Sequence, residues 1–109
     1  MKVNVQDIGG TIVKDNETYV LADNNFLKNL VLSSTQLHPH QSTRGHSHPG
    51  QEEVYYFVGG EGEIELGDQR LSVGPGSVVL IEDGIFHRVH NRSDQELYFV
   101  CVFDGSRKH

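Results

Sequence analysis

In the stretch GEIEL, residues 62 to 66, Ile64 and Leu66 alternate with Glu63 and Glu65, so successive side chains point to opposite faces, one dry and one wet. A period of two, not the 3.6 of a helix, runs through most of the chain. Gly67-Asp68 follows at once, a two-residue turn of the kind that joins antiparallel strands. RLSVGPGSVVLIEDGIFHRVHN then continues with strands around Leu71, Val79 and Val89, parted by turns at Gly74-Pro75-Gly76 and Asp83-Gly84. ELYFVCVF is apolar on both faces and is expected to be covered on both. Only NNFLKNLVL has helical spacing, and its asparagines and β-branched residues argue against a long helix. About eight to ten short strands at regular intervals predict an all-β fold, an antiparallel sandwich or barrel.

The chain has 109 residues, enough to bury roughly 60 to 65 per cent of its unfolded surface around one core. Residues 1–25 are expected to form N-terminal strands or an arm packed on the barrel or on a partner subunit, 26–104 the barrel, and 105–109 a loose polar tail. A net charge of −6 repels nucleic acid and anionic lipid, and no stretch approaches the ~20 apolar residues of a membrane span. Neither kind of partner is expected. Cys101 is the single cysteine, which excludes an intramolecular disulfide and an all-cysteine metal site. With no apolar run in MKVNVQDIGG, the expected location is the cytoplasm.

Four of the seven histidines fall between His38 and His48. In GHSHPGQEE, residues 45 to 53, His46 and His48 stand two apart on extended backbone and so point to one side. A glutamate on the same inward face completes a mixed nitrogen and oxygen set of the kind that Mn, Fe, Ni, Co, Cu or Zn accept when no thiolate is offered. His87, just after the Asp83-Gly84 turn, supplies a third imidazole. The predicted ligands of one divalent transition metal are His46, His48, Glu53 and His87. His38 and His40 form a second H-x-H, but with Pro39 between them and no carboxylate at matching spacing they read as loop histidines. His90 is expected to face away from His87. Arg44, Arg88 and Arg92 lie near the motifs in sequence and read as solvated.

These residues resemble the two motifs of the cupins. The first runs from a glycine through H-x-H and a glutamate to a second glycine, and His46, His48, Glu53 and Gly60 fit it. Gly76, Gly84, His87 and Asn91 fit the second, whose proline is replaced here by Glu82, leaving Asp83-Gly84 to make the turn. Glu53 is preferred to Glu52 because six residues separate it from Gly60. The resemblance implies an antiparallel double-stranded β-helix, or jelly roll, and a homodimer.

Three imidazoles and one carboxylate leave open positions on an octahedral ion, which favours catalysis over a closed structural site. The segment TRGHSHPGQEEVYYFV and the run HRVHN are similar to segments of the archaeal cupin-type phosphoglucose isomerases. That likeness implies proton transfer on a small hydroxy-carbonyl compound such as a sugar or sugar phosphate. It makes Glu53 the catalytic carboxylate, puts Thr43 and Gly45 on a phosphate and Tyr55 in the sugar site, and leaves Arg44 or Arg88 to attract an anion. An iron-dependent dioxygenase and a non-catalytic small-ligand-binding cupin are the alternatives.

Overall fold

The computed structural model describes residues 1–105, and among these there are nine strands and no helix. In chain order they are β1 (Thr11–Asp15), β2 (Tyr19–Asn24), β3 (Leu30–Leu37), β4 (Glu53–Gly59), β5 (Gly62–Leu66), β6 (Gln69–Val73), β7 (Val78–Ile81), β8 (His87–His90) and β9 (Leu97–Asp104). They form two antiparallel sheets, one ordered β1-β2-β3-β9-β4-β7 and a smaller one ordered β6-β5-β8. The turns lie where the sequence places them: Gly67-Asp68 closes the β5–β6 hairpin, and the amide of Ile85 donates to the carbonyl of Glu82 across Asp83-Gly84, so the turn forms without a proline.

Alternation decides which side chains are inside. Glu53, Tyr55 and Phe57 on β4, Val79 and Ile81 on β7, and Leu97, Phe99, Cys101 and Phe103 on β9 all face inward and are buried. They meet Ile64, Val73 and Val89 of the small sheet in one apolar core. Burying a side chain such as Phe57 or Phe99 stabilises the fold by about 2 to 3 kcal/mol each, so the two sheets are held face to face mainly by this layer. Gly60 marks the tight corner between β4 and β5. Its φ is +83° and a Cβ there would collide with the carbonyl oxygen of Glu96, so only glycine fits.

The other face of the large sheet is only partly covered. The amide of Asn24 donates to the carbonyl of Ile8 and the Tyr98 hydroxyl to that of Val5, so the first ten residues fold back over part of it and bury Ile8 and Val100. The expectation that β9 is covered on both faces therefore holds at Val100 but not at Val102, which is 37% exposed. β1 and β2 extend the large sheet beyond β3. Pairing along β1 shifts between Ile12 and Lys14, where Ile12 sits opposite Ala22 and Lys14 opposite Leu21. This β-bulge turns Lys14 to the inner side, on one row with Leu21, Thr35 and Phe99. Of the tail expected at 105–109, residues 106–109 lie outside the described residues.

Candidate metal centre and its cavity

Residues 41 to 46 run antiparallel beside β8. Ser42 is bridged to His90 and His46 to His87, and the amides of His46 and His87 each donate to the other's carbonyl, at 3.0 and 2.9 Å. The two motifs, far apart in sequence, are thus stitched together by backbone. Asp83 adds a second tie by accepting from the amide of Gly50 at 2.5 Å. At Gly45 the backbone has φ +81° and a Cβ would press on the Phe86 ring at 2.7 Å, so this glycine lets the strand-like segment lie against the turn before β8.

The ligating atoms of His46, Glu53 and His87 come within 4.8 Å of one another. His48 stands beside them, its ring 4.3 Å from that of His46 and 6.3 Å from that of His87. Glu53 is 4% exposed, whereas Glu52 is exposed to solvent, as the spacing to Gly60 requires. Tyr55 is buried on the same face, edge-on to His87 at 5.6 Å and stacked on Phe99 at 5.2 Å.

The chemistry turns on one atom. His87 donates from Nδ1 to the carbonyl of Ile85 at 3.0 Å, which leaves Nε2 of the neutral ring with a lone pair. Nε2 lies 2.9 Å from Oε2 of Glu53, yet the pair is not aligned for a hydrogen bond and Nε2 is buried without a hydrogen-bond partner. The short distance alone would suggest an ion pair, but the angle is the better guide, since hydrogen bonds weaken steeply off axis. A buried lone pair beside a carboxylate is unfavourable unless a cation binds both groups. The donor set of imidazole nitrogens and one carboxylate oxygen fits a divalent transition metal.

Beside this group opens a cavity of about 590 Å³. Thr43, Arg44, His46, His48, Glu53 and Tyr55 line one wall. Sequence reasoning missed the rest of the lining, which carries Lys14 from β1, Asn16 and Thr18 from the turn after it, Tyr19 from β2, and Ser33 and Thr35 from β3. Ser33 and Thr35 are 0% and 6% exposed and point inward. The signal was the run Ser-Ser-Thr inside the otherwise apolar strand LVLSSTQL. Thr43 uses its hydroxyl to accept from the amide of Val89 at 3.0 Å. Arg88 does not line this cavity: its Nε donates to the carbonyl of Thr43 at 2.8 Å, and it shares the outer face of the small sheet with Glu65.

The remaining described histidines each meet a carboxylate elsewhere. His38 Nδ1 pairs with Glu96 at 2.9 Å, His40 Nε2 with Asp94 at 2.6 Å, and His90 Nε2 with Glu65 at 2.5 Å, while His90 Nδ1 meets the Ser42 hydroxyl at 2.6 Å. His90 faces away from His87, as its position three residues on implies. The hydrogen bond from His90 holds the Glu65 carboxyl below its ordinary range in spite of desolvation, helped by Arg70 and Arg88. Asn91 is 1% exposed and its amide donates to the carbonyls of Leu37, His38 and Gln95 at 3.0, 3.2 and 2.7 Å. That motif residue fastens the end of β8 and touches no ligand.

Comparison with known proteins agrees with this architecture. The family described as "Cupin domain" matches residues 34–103. An oxalate-binding protein of Thermotoga maritima is 30% identical over 67 residues, 62% of this chain and 55% of that protein, so the chain spans about half the length of the curated relatives it matches. A Klebsiella pneumoniae protein with a double-stranded β-helix domain superposes with a TM-score of 0.79 at 19% identity, covering 94% of this chain and 88% of the other. Oxalate decarboxylase of Bacillus subtilis, a protein with Mn(II) centres, superposes at 0.80 and 18% identity over 90% of this chain and 28% of its own.

Proposed function

The chain belongs to the cupin family, and from that premise we propose that it is a metal-dependent enzyme that moves a proton on a small hydroxy-carbonyl compound, as an isomerase or epimerase does. The observation that carries this reading is the buried lone pair of His87 Nε2, 2.9 Å from Glu53 and without a hydrogen bond. His46, His48, Glu53 and His87 would hold one divalent ion, of manganese, iron, nickel, zinc, cobalt or copper. Bound there, it would supply a Lewis-acid charge to the oxygens of a carbonyl and its neighbouring hydroxyl. Glu53 takes the proton from the carbon next to the carbonyl and returns it to the former carbonyl carbon, while the proton of the neighbouring hydroxyl passes to the carbonyl oxygen. Tyr55 closes the inner wall beside His87 and excludes water. The hydroxyl-rich wall of Thr18, Ser33 and Thr35 suits a hydroxylated ligand better than an apolar one.

Elemental analysis of protein purified without added metal, followed by loading with manganese, zinc and iron, tests the reading. Hydrogen next to the carbonyl of an aldose, ketose or sugar phosphate should exchange with solvent deuterium without oxygen uptake, and Glu53→Gln protein reconstituted with metal should lose that exchange. Oxygen uptake confined to the iron form would assign a dioxygenase instead. Binding of oxalate without either reaction would favour a binding cupin, the reading that the Thermotoga relative's name supports.

The same proposal includes a homodimer in a reducing compartment such as the cytoplasm. On the uncovered face of the large sheet Leu80, Val54, Val102 and Leu32 form one row across four strands, with Val78 and Tyr56 beside it. Leu80 and Val78 are 69% and 56% exposed. A contiguous apolar patch of this kind suits a second copy of the chain. Sedimentation at micromolar concentration should give a dimer that Leu80→Lys dissociates; a wild-type monomer would remove the proposal.

A further inference from the structure

The chain has 15 acidic residues against 9 Lys and Arg, yet the charged groups around the cavity run the other way. Apart from Glu53, which faces the histidines, they are Lys14 and Arg44. Lys14 reaches this wall because of the bulge in β1. Ile12 faces outward opposite Ala22, and in an unbroken strand Lys14, two residues on, would face outward as well. The shift between Ile12 and Lys14 places it opposite Leu21, on the inner row that ends at Thr35 and Phe99. Bulges next to binding sites commonly re-aim one side chain in this way. Lys14 also lies outside the segment that matches the family, residues 34–103.

We infer that Lys14, with Arg44, makes the cavity selective for an anionic substrate, one that carries a carboxylate or phosphate at the end remote from the metal ligands. This rests on the proposed metal-dependent reading and adds the substrate's charge to it. A cavity of about 590 Å³ accommodates a molecule of sugar size between the two ends. A cationic side chain on the neutral hydroxyl wall of Ser33, Thr35 and Thr18 offers a charge-assisted hydrogen bond to an anion and none of comparable strength to its uncharged analogue. Discrimination of about ten-fold or more is expected from such a contact.

The test uses the metal-loaded protein and two matched sets of probes, glucuronate against glucose for a carboxylate and glucose 6-phosphate against glucose for a phosphate. Calorimetry gives each Kd, and elemental analysis of the same samples gives the metal content. At least one charged probe should bind about ten-fold tighter than glucose, and which one does so distinguishes the two anions. Lys14→Gln should erase most of that preference with metal content unchanged, and Lys14→Arg should keep it. Ile12→Lys added to Lys14→Gln restores the net charge on the outward face of β1 and should not restore the preference. Equal affinities for charged and neutral probes in wild type, retention of the preference by Lys14→Gln, rescue by Ile12→Lys, or no binding of any probe by metal-loaded protein would each overturn the inference. A protein that takes up no metal would instead overturn the metal-dependent reading, and the charged-probe preference at Lys14 can still be measured on it.

Discussion

Six of the seven histidines lie among the described residues, and they divide into two sets of three that differ in their supply of carboxylates. On the outside, His38, His40 and His90 have one each, in Glu96, Asp94 and Glu65. Inside, His46 and His87 gather around the single carboxylate of Glu53, with the ring of His48 4.3 Å from that of His46. One-to-one pairing satisfies an imidazole locally and ties one loop to another. His46 and His87 share one acid, and the buried Nε2 of His87 beside it makes no hydrogen bond, a donor set open to a cation. The residue type is the same in both sets; on the proposed reading, the number of acids per ring separates structural histidines from ligands.

The strongest way to break this contrast is to remove one ring from each set. His87→Ala should abolish metal binding, as should His48→Ala, and with metal at a hundred times its Kd the lost linkage is about 2.7 kcal/mol of stability. His90→Ala should keep the metal. Elemental analysis and thermal melts with and without added metal make the comparison. Full metal occupancy in His87→Ala beside loss in His48→Ala would mean that the second motif does not contribute a ligand.

A smaller effect separates the two adjacent acids. Glu53→Gln should weaken metal affinity by ten-fold or more, because it removes the charged member of the set, while the exposed Glu52→Gln should leave it within a factor of two or so. Equal losses in a competition titration with a chelator would show that net charge, and not position, governs binding.

The smallest effect belongs to the outer set and appears only on acidification. The folded-state pKa of Glu65 is depressed by His90, and that of Glu63 by Arg92 and then Arg70. A depressed carboxyl stabilises the fold above its ordinary pKa near 4.5 and loses that contribution as pH falls through its folded value. Glu65→Gln should therefore melt below wild type at neutral pH, by a few degrees at most for a partly buried pair, and the two melting curves should converge under acid. A gap that persists at pH 2 would locate the stabilisation elsewhere.

Much of this was legible in the sequence because period-two patterning and turn residues act locally. GEIEL, Gly67-Asp68 and Asp83-Gly84 fix strand faces and corners by sterics alone, and Glu53 could be told from Glu52 because a shift of one residue reverses the face. The partners of His38, His40 and His90 were hidden because Glu96, Asp94 and Glu65 reach them only through folding over separations of 58, 54 and 25 residues. Arg88 illustrates the same limit. Its neighbours in sequence are ligands and core, but its own side chain belongs to the other face of β8.

The bulge in β1 has a meaning for descent as well as for shape. β1 is an exposed edge strand with no part in the core, where the gain or loss of one residue is cheap for the fold. If the extra residue were absorbed into regular pairing from Ile12 onward, Val13 would stand opposite Leu21, Lys14 would rotate to the outside opposite Val20, and Asp15 would turn inward opposite Tyr19. Such a slip in pairing would withdraw Lys14 from the cavity wall and turn an acid inward beside it, while His46, Glu53 and His87 stay where they are. On the reading proposed above, slipping an edge strand by one notch would change the charge offered to a small molecule without touching the interior of the barrel.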